Sequence, residues 1–289
     1  ALITSRYYLA GTGTQTAGLA FGGLTPTIAS CTEEYNSSTV FTPLKTFTYD
    51  DTTGELDVSG SFSGSFQGDG SQLTDVSSDP FPYSGSAEIT GSLAVTGSVE
   101  FSYSSGSTST SAWSTGGVLS TARYGLAGAG EQNAALAFGG RTNSIVNNTE
   151  EYDGASWSAG GALITGRAEL AGAGTTNAAL AFGGSSNIGQ SSCTEEYNGT
   201  AWTAGGALST ARYSLAGAGT QGAALAFGGY SNTCTEEYDG ASWSAGGALS
   251  TARYGLGGAG TQGAALAFGG FLFGVTTCTE EYDGASWSA

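Results

Sequence analysis

The stretch Thr210–Ala248 reads TARYSLAGAGTQGAALAFGGYSNTCTEEYDGASWSAGGA, and nearly the same words return from Thr251 to Ala289. Looser versions run from Thr121 to Trp157 and from Thr165 to Trp202, and a fifth opens the chain at Ser5. The phrase LAFGG sets the register in every copy, with its phenylalanine at Phe21, Phe138, Phe182, Phe227 and Phe268. The last four lie 44, 45 and 41 residues apart; the first gap is 117, one period plus an insertion of about 73 residues. Repetition at this period points to a solenoid, a propeller or a stacked array.

One repeat divides into four short strands. The first covers Arg212–Gly217, the second Ala223–Gly229, the third Cys234–Tyr238, and the fourth centres on Trp243. Turn chemistry separates them: Gly-Thr-Gln-Gly, a polar loop, Asp-Gly and Gly-Gly. Aromatic and small residues alternate with a period near two, and no segment keeps helical spacing. Four short antiparallel strands per unit predict a β-propeller blade, so the expectation is an all-β propeller of five four-stranded antiparallel blades. A flat silk-like stack is the alternative for the Gly-Ala runs, opposed by the tryptophans, tyrosines and charges. Gly and Ala on the first strand suit the crowded centre of a narrow ring.

The order AFGG (Ala226–Gly229), variable loop, EEYDG (Glu236–Gly240) and Trp243 resembles the kelch motif, and the resemblance covers about three quarters of the chain. This repeat is shorter than the usual kelch repeat, its inner strands are silk-like, and the GH…WD pattern of WD40 blades is absent. The copper chemistry of galactose oxidase, a kelch-type enzyme, needs histidine ligands, and this chain contains no histidine.

Three segments follow: residues 1–40 as the first three strands of blade 1, residues 41–110 as a β-rich insertion, and residues 111–289 as the remainder of the propeller. The chain ends in the fourth-strand phrase ASWSA and begins with ALITSRY, which elsewhere follows that phrase. Ring closure is therefore expected by packing of the last blade on the first, without an exchanged strand. Ala1 in place of a methionine fits a processed form or a fragment. The insertion carries FQGDGSQLTDV and ITGSLAVTGSV. These resemble segments of bacteriophage tail-fibre and other virion proteins, which implies a stalk or oligomerisation role. An alternative makes Glu88–Trp113 a sixth, degenerate blade.

Formal charge is −17, with one lysine and six arginines, so the surface repels nucleic-acid phosphates and anionic membranes. No run reaches transmembrane length and no signal peptide is visible. Cys31, Cys193, Cys234 and Cys278 each stand immediately before a TEEY phrase, where the second repeat has Asn148, and read as small half-buried side chains.

Each repeat carries one arginine, Arg6, Arg123, Arg167, Arg212 and Arg253, and one glutamate pair opening at Glu33, Glu150, Glu195, Glu236 and Glu280. Adjacent strand residues face opposite sides, so one glutamate of each pair is expected to meet an arginine between blades as a structural ion pair. Without histidine there is no Ser-His-Asp triad and no usual general base near neutral pH. GAG and GTG are followed by no Gly-Lys-Ser/Thr, so they are not phosphate loops. The expectation is a non-enzymatic protein with no cofactor and no metal; a carbohydrate-active enzyme using surface carboxylates is the weakest alternative.

Variation concentrates in the loop between strands two and three: LTPTIAS, RTNSIVNN, SSNIGQSS, YSNT and FLFGVTT. Variable loops on a constant frame suit ligand recognition. Arg141, Asn143, Asn187, Tyr230, Asn232, Phe271 and Phe273 are the candidate ligand-binding residues, aromatic rings and amides being suited to polar, sugar-like ligands. The expected partner is a glycan or host surface receptor, with self-association or other virion proteins engaged through the insertion, and neither nucleic acid nor membrane insertion. The expected location is a virion surface or the extracellular space. The rival expectation is a purely structural decoration or fibre subunit contacting copies of itself.

Overall fold

The computed structural model describes residues 2–40, 47–50, 55–58, 108–272 and 274–289. Blade 1 comprises β1 (Ala10–Gly13), β2 (Ala17–Phe21) and β3 (Thr32–Val40); a separate hairpin pairs β4 (Phe47–Asp50) with β5 (Glu55–Val58); β6 (Thr108–Thr115) then completes blade 1 beside β3. Blade 2 follows as β7 (Ala127–Glu131), β8 (Ala134–Phe138), β9 (Thr149–Tyr152) and β10 (Trp157–Ala159). Blade 3 is β11 (Ala171–Thr175), β12 (Ala178–Phe182), a small loop hairpin of β13 (Ser185–Ser186) and β14 (Gly189–Gln190), then β15 (Thr194–Tyr197) and β16 (Trp202–Ala204). Blade 4 is β17 (Ala216–Thr220), β18 (Ala223–Phe227), β19 (Thr235–Tyr238) and β20 (Trp243–Ala245); blade 5 is β21 (Gly257–Thr261), β22 (Ala264–Phe268), β23 (Thr279–Tyr282) and β24 (Trp287–Ser288).

These five four-stranded antiparallel sheets form a five-blade β-propeller. Register is uniform: in blade 4 Ala216 faces Phe227, Ala226 faces Glu236, and Tyr238 faces Trp243. Trp113 lies on β6, the fourth strand of blade 1. The compact unit holding the blades is residues 1–37 and 111–289; residues 38–110 form a second unit, of which the β4–β5 hairpin is described. The virion-like phrases, and residues 88–107 of the sixth-blade alternative, fall outside the described residues.

The first strand begins later than its sequence suggests. Arg212–Leu215 form a lead-in segment, and the strand proper starts at Ala216. The residue two after each arginine takes a left-handed backbone: Tyr8 (φ 52°), Gly125 (φ 61°), Glu169 (φ 56°), Ser214 (φ 54°) and Gly255 (φ 60°). That turn aims the amide at the neighbouring blade, which breaks the strand and creates a backbone ladder. Gly125 donates to Tyr8 O, Glu169 to Gly125 O, Ser214 to Glu169 O and Gly255 to Ser214 O, at 2.7–2.9 Å. Four stacked repeats of one bond offset the local strain.

Each TEEY phrase works with both faces of its strand, as the two-residue period of a strand dictates. Its first glutamate is buried against the arginine of the same repeat: Arg212 Nη1–Glu236 Oε1 is 2.7 Å, Arg167 Nη2–Glu195 Oε1 and Arg253 Nη2–Glu280 Oε1 are 2.9 Å, Arg6 Nη2–Glu33 Oε1 is 3.3 Å, and Arg123 pairs with Glu150. The pair therefore closes within one repeat, not between blades as the sequence suggests. The reason is the lead-in segment, which lays the guanidinium along its own sheet, so that Arg212 Nη2 also donates to Ala226 O at 3.2 Å. The other carboxylate oxygen accepts an amide just ahead of the lead-in segment, such as Ser209 N at 2.7 Å from Glu236 Oε2. Among the described residues, the buried side-chain polar atoms lacking a partner are the five arginine Nε atoms.

The second glutamate carries the contact between blades. Tyr197 donates to Glu151 and Tyr238 to Glu196 at 2.5 Å, Tyr282 to Glu237 at 2.6 Å, and Tyr152 to Glu34. Each tryptophan of blades 2 to 5 donates Nε1 to the TEEY threonine of the preceding blade, as Trp243 does to Thr194 at 2.8 Å. The same indole packs on that blade's phenylalanine, with ring centroids 4.8–5.0 Å apart in all four junctions. The core is thus a series of inter-blade layers, each combining residues of two consecutive repeats.

The series stops at the boundary of blades 5 and 1. None of these recurring contacts is made there among the described residues. Phe21, Phe138, Phe182 and Phe227 are fully buried, whereas Phe268 is 45% exposed and Leu266 40%. The expected packing of the last blade on the first is therefore not present in this structure.

Candidate functional site

The loops between strands two and three gather on one face with the lead-in segments. Their first residues pair with the residue that follows each arginine: Tyr124 with Arg141, Ala168 with Ser185, and Tyr254 with Phe271 as isolated bridges, and Tyr230 N donates to Tyr213 O at 3.1 Å. In blades 1 to 4 the end of the loop is tied forward to the next blade, as Leu163 N to Asn147 O at 2.9 Å and Leu208 N to Ser192 O at 2.8 Å. Both flanks of those four loops are therefore fixed by the frame, while the blade 5 loop is fixed at its start by the Tyr254–Phe271 bridge.

On blades 4 and 5 this pairing builds a row of aromatic rings. Tyr213 and Tyr230 stack at 5.5 Å with an interplanar angle of 12°, Tyr230 meets Tyr254 at 5.3 Å, and Tyr254 meets Phe271 at 5.3 Å. Tyr230 is 50% exposed and Phe271 39%. Ser214 Oγ donates to Glu169 Oε2 at 2.5 Å at the blade 3 end of this row. Burial pushes the Tyr213 phenol up from its ordinary value, and Tyr230, the Glu169 carboxylate and Tyr254 act in the same direction. A smaller group, Tyr7, Tyr8 and Tyr124, occupies the same level of blades 1 and 2, with centroids 5.4 and 6.4 Å apart.

A cleft of about 480 Å³ lies on the same face between blades 2 and 3. Ile145, Asn147, Thr165, Asn187 and Ile188 are among its walls. Ile188 stands almost wholly exposed at its rim.

The structure separates the sequence candidates. Tyr230 and Phe271 belong to one aromatic row. Asn187 lines the cleft, in the blade 3 loop, whereas the two rings stand in the loops of blades 4 and 5. Arg141 is half-buried beside Tyr124 and Asn143 is exposed, and neither lines the cleft. Asn232 is turned inward, its Oδ1 accepting the Cys234 amide at 2.7 Å, so it shapes the loop. Phe273 lies outside the described residues. Tyr213 and Tyr254 escaped the loop-based reading because they belong to the constant frame. Their signal was present as the Arg-Tyr dipeptide of four repeats, which blade 3 replaces by Arg167-Ala168.

The cysteines are free; Cys31 and Cys234 are half-buried, while Cys193 and Cys278 are exposed. Among the described residues no three His, Cys, Asp or Glu side chains gather as a metal-binding group, and no helix is long and apolar enough to cross a membrane. The first glutamates are consumed by buried arginines, and those of blades 1 to 4 that follow them by tyrosines, so none of these stands free in a cleft. No protein-family model matches the chain, and no curated protein matches it in sequence. The fold alone defines its class: a five-blade β-propeller, an architecture compatible with binding.

Proposed function

We propose that this chain is a non-enzymatic binding propeller, kelch-like in its repeat, that recognises a glycan on the face carrying the loops between strands two and three. The observation that carries this reading is the row Tyr213–Tyr230–Tyr254–Phe271, four contiguous rings with two of them substantially exposed. Ring faces accept the C–H-rich faces of sugars, while phenol hydroxyls and the nearby Glu169 carboxylate supply hydrogen bonds to sugar hydroxyls. Fixed flanks limit the ordering cost on binding, which favours a weak polar ligand. A net charge of −17 favours neutral over anionic glycans. The insertion's virion-like text supports placement on a virion surface, as a tail-fibre or adhesin component, or on a cell surface. Glycan-array binding by the intact chain tests the reading. Binding that falls at least about tenfold in Tyr230→Ala and Tyr254→Ala supports it. Full binding by both variants, or no glycan bound at all, overturns it.

A further inference from the structure

Four junctions between blades show what covers each face of a repeat. The trailing face presents a phenylalanine, the TEEY threonine and the second glutamate. The leading face presents a tryptophan, the TEEY tyrosine and the two leucines that flank each arginine, such as Leu208 and Leu215. At every junction the second glycine of AFGG also donates to the next arginine's carbonyl, as Gly229 does to Arg253 O at 3.0 Å. The second residue of each first strand is glycine because the preceding phenylalanine points at it. A Cβ on Gly128, Gly172, Gly217 or Gly258 would stand 2.6 Å from that ring's Cζ.

Both halves of a fifth junction are present and unjoined. Blade 5 shows Phe268, Leu266, Thr279 and Glu281 to solvent. Blade 1 shows Leu2, Leu9, Tyr35 and Trp113 only half-buried, although the equivalent leucines of the later repeats are buried. Gly11 occupies the position that elsewhere receives the phenylalanine, and no ring faces it here. Gln15 is exposed, whereas its counterpart Gln262 reaches back to Ala224 O and Tyr238 O at 3.1 and 2.7 Å. The backbone ladder likewise ends with the Gly255 carbonyl on one side and the Tyr8 amide on the other.

We propose that the trailing face of blade 5 docks the leading face of blade 1 of a second copy of this chain. The interface is continuous in kind with the four junctions inside the chain: Phe268 stacks on the partner's Trp113, Thr279 accepts its indole N–H, and Glu281 accepts from its Tyr35. Because the two faces differ, the contact is heterologous, and copies add head to tail into a ring or a filament. This inference does not rest on glycan recognition.

The test is light scattering of the full chain over a concentration series, with two blocked variants. Phe268→Arg blocks the trailing face, and Trp113→Arg blocks the leading face. The exposed positions Glu281→Arg and Gln15→Arg serve as milder substitutes if either first variant fails to fold by circular dichroism. Wild type is expected to assemble with rising concentration, and each blocked variant to need at least about tenfold more protein. Mixing the two blocked variants restores one intact junction and yields a 1:1 dimer that does not grow. A wild type that stays monomeric means that the seam closes within one chain or stays open, and overturns the proposal. Assembly unchanged by both substitutions, or no dimer on mixing, overturns it equally.

Discussion

Tyr282 donates its phenol hydrogen to Glu237 Oε1 at 2.6 Å, joining blade 5 to blade 4 through the outer part of their layers. The same bond recurs at each earlier junction, so the tyrosine of TEEY acts as the fastener of one blade onto the glutamate of the blade before. Removing one hydroxyl leaves a carboxylate without that donor. Tyr238→Phe is expected to lower stability by about 1.5–3 kcal/mol, the range for hydrogen bonds to charged groups. Urea unfolding followed by tryptophan fluorescence measures it, and a midpoint unchanged from wild type would contradict the assignment.

These tyrosines also set an alkaline limit. Burial, then the hydrogen bond to glutamate, pushes Tyr152, Tyr197, Tyr238 and Tyr282 from an ordinary value of 10.0 up to about 12, against the opposing effect of a glycine amide. A folded pKa above the unfolded one means the folded state holds the proton more tightly. The stabilisation is therefore complete below about pH 10 and is lost as the pH climbs through about 12. Melting temperature should fall steeply across that window. The fall should be shallower in the Tyr152→Phe, Tyr197→Phe double variant than in wild type; equal slopes would place the alkaline transition elsewhere.

The arginine of each repeat is a different case, since it is buried with its own glutamate. Desolvation lowers the Arg212 pKa while Glu236 opposes the fall, so the ion pair holds its charge by geometry. Arg212→Ala leaves Glu236 charged and unpaired in the interior and should cost about 3–5 kcal/mol. The double replacement Arg212→Met, Glu236→Leu should cost clearly less than the single one. It retains a penalty, because the Ser209 amide loses its acceptor. Chemical denaturation of the two variants side by side decides this, and a double variant as damaged as the single would show that the pair is needed for register.

The blade was legible because strand period and turn chemistry agree: small and large residues alternate from Ala224 to Phe227, and Asp239 accepts from the amides of Ala241 and Ser242 at 2.9 and 2.7 Å to make the Asp-Gly turn. The late start of the first strand was not legible, because Ser214 and Glu169 adopt positive φ with side chains that do not announce it. Adjacency on one strand settled that the two members of a glutamate pair face opposite sides, yet not which partner each would find. That depended on the path of the lead-in segment, a tertiary feature. The aromatic row was half visible: Tyr230 and Phe271 stand in variable loops, whereas Tyr213 and Tyr254 were concealed by their regularity. The open seam has no sequence signal, since blade 5 repeats the text of blade 4.

Two parts of the loop face can be separated by mutation. Ile188 is almost wholly exposed at the rim of the cleft between blades 2 and 3, away from the aromatic row on blades 4 and 5. Ile188→Asp should leave stability within about 0.5 kcal/mol of wild type. It should also leave glycan binding intact while Tyr254→Ala lowers it at least about tenfold. The reverse pattern on the same array would move the binding site to the cleft.

Glycine at the second position of the first strand gives the sharpest test of how blades approach. A Cβ on Gly217 would sit 2.6 Å from Phe182 Cζ and 2.9 Å from Gly172 O, so both a ring and a backbone would have to give way. Gly217→Ala should therefore cost about 1–3 kcal/mol by overpacking. Gly222, in the adjoining turn, has nothing within 4 Å of the same added atom and no positive φ. Gly222→Ala restricts the unfolded chain without a clash and should gain about 0.4–1 kcal/mol. The two substitutions add the same methyl group only five positions apart, so their opposite signs in urea midpoint would isolate inter-blade contact from backbone entropy. A neutral Gly217→Ala would mean that blades 3 and 4 stand farther apart than this packing allows.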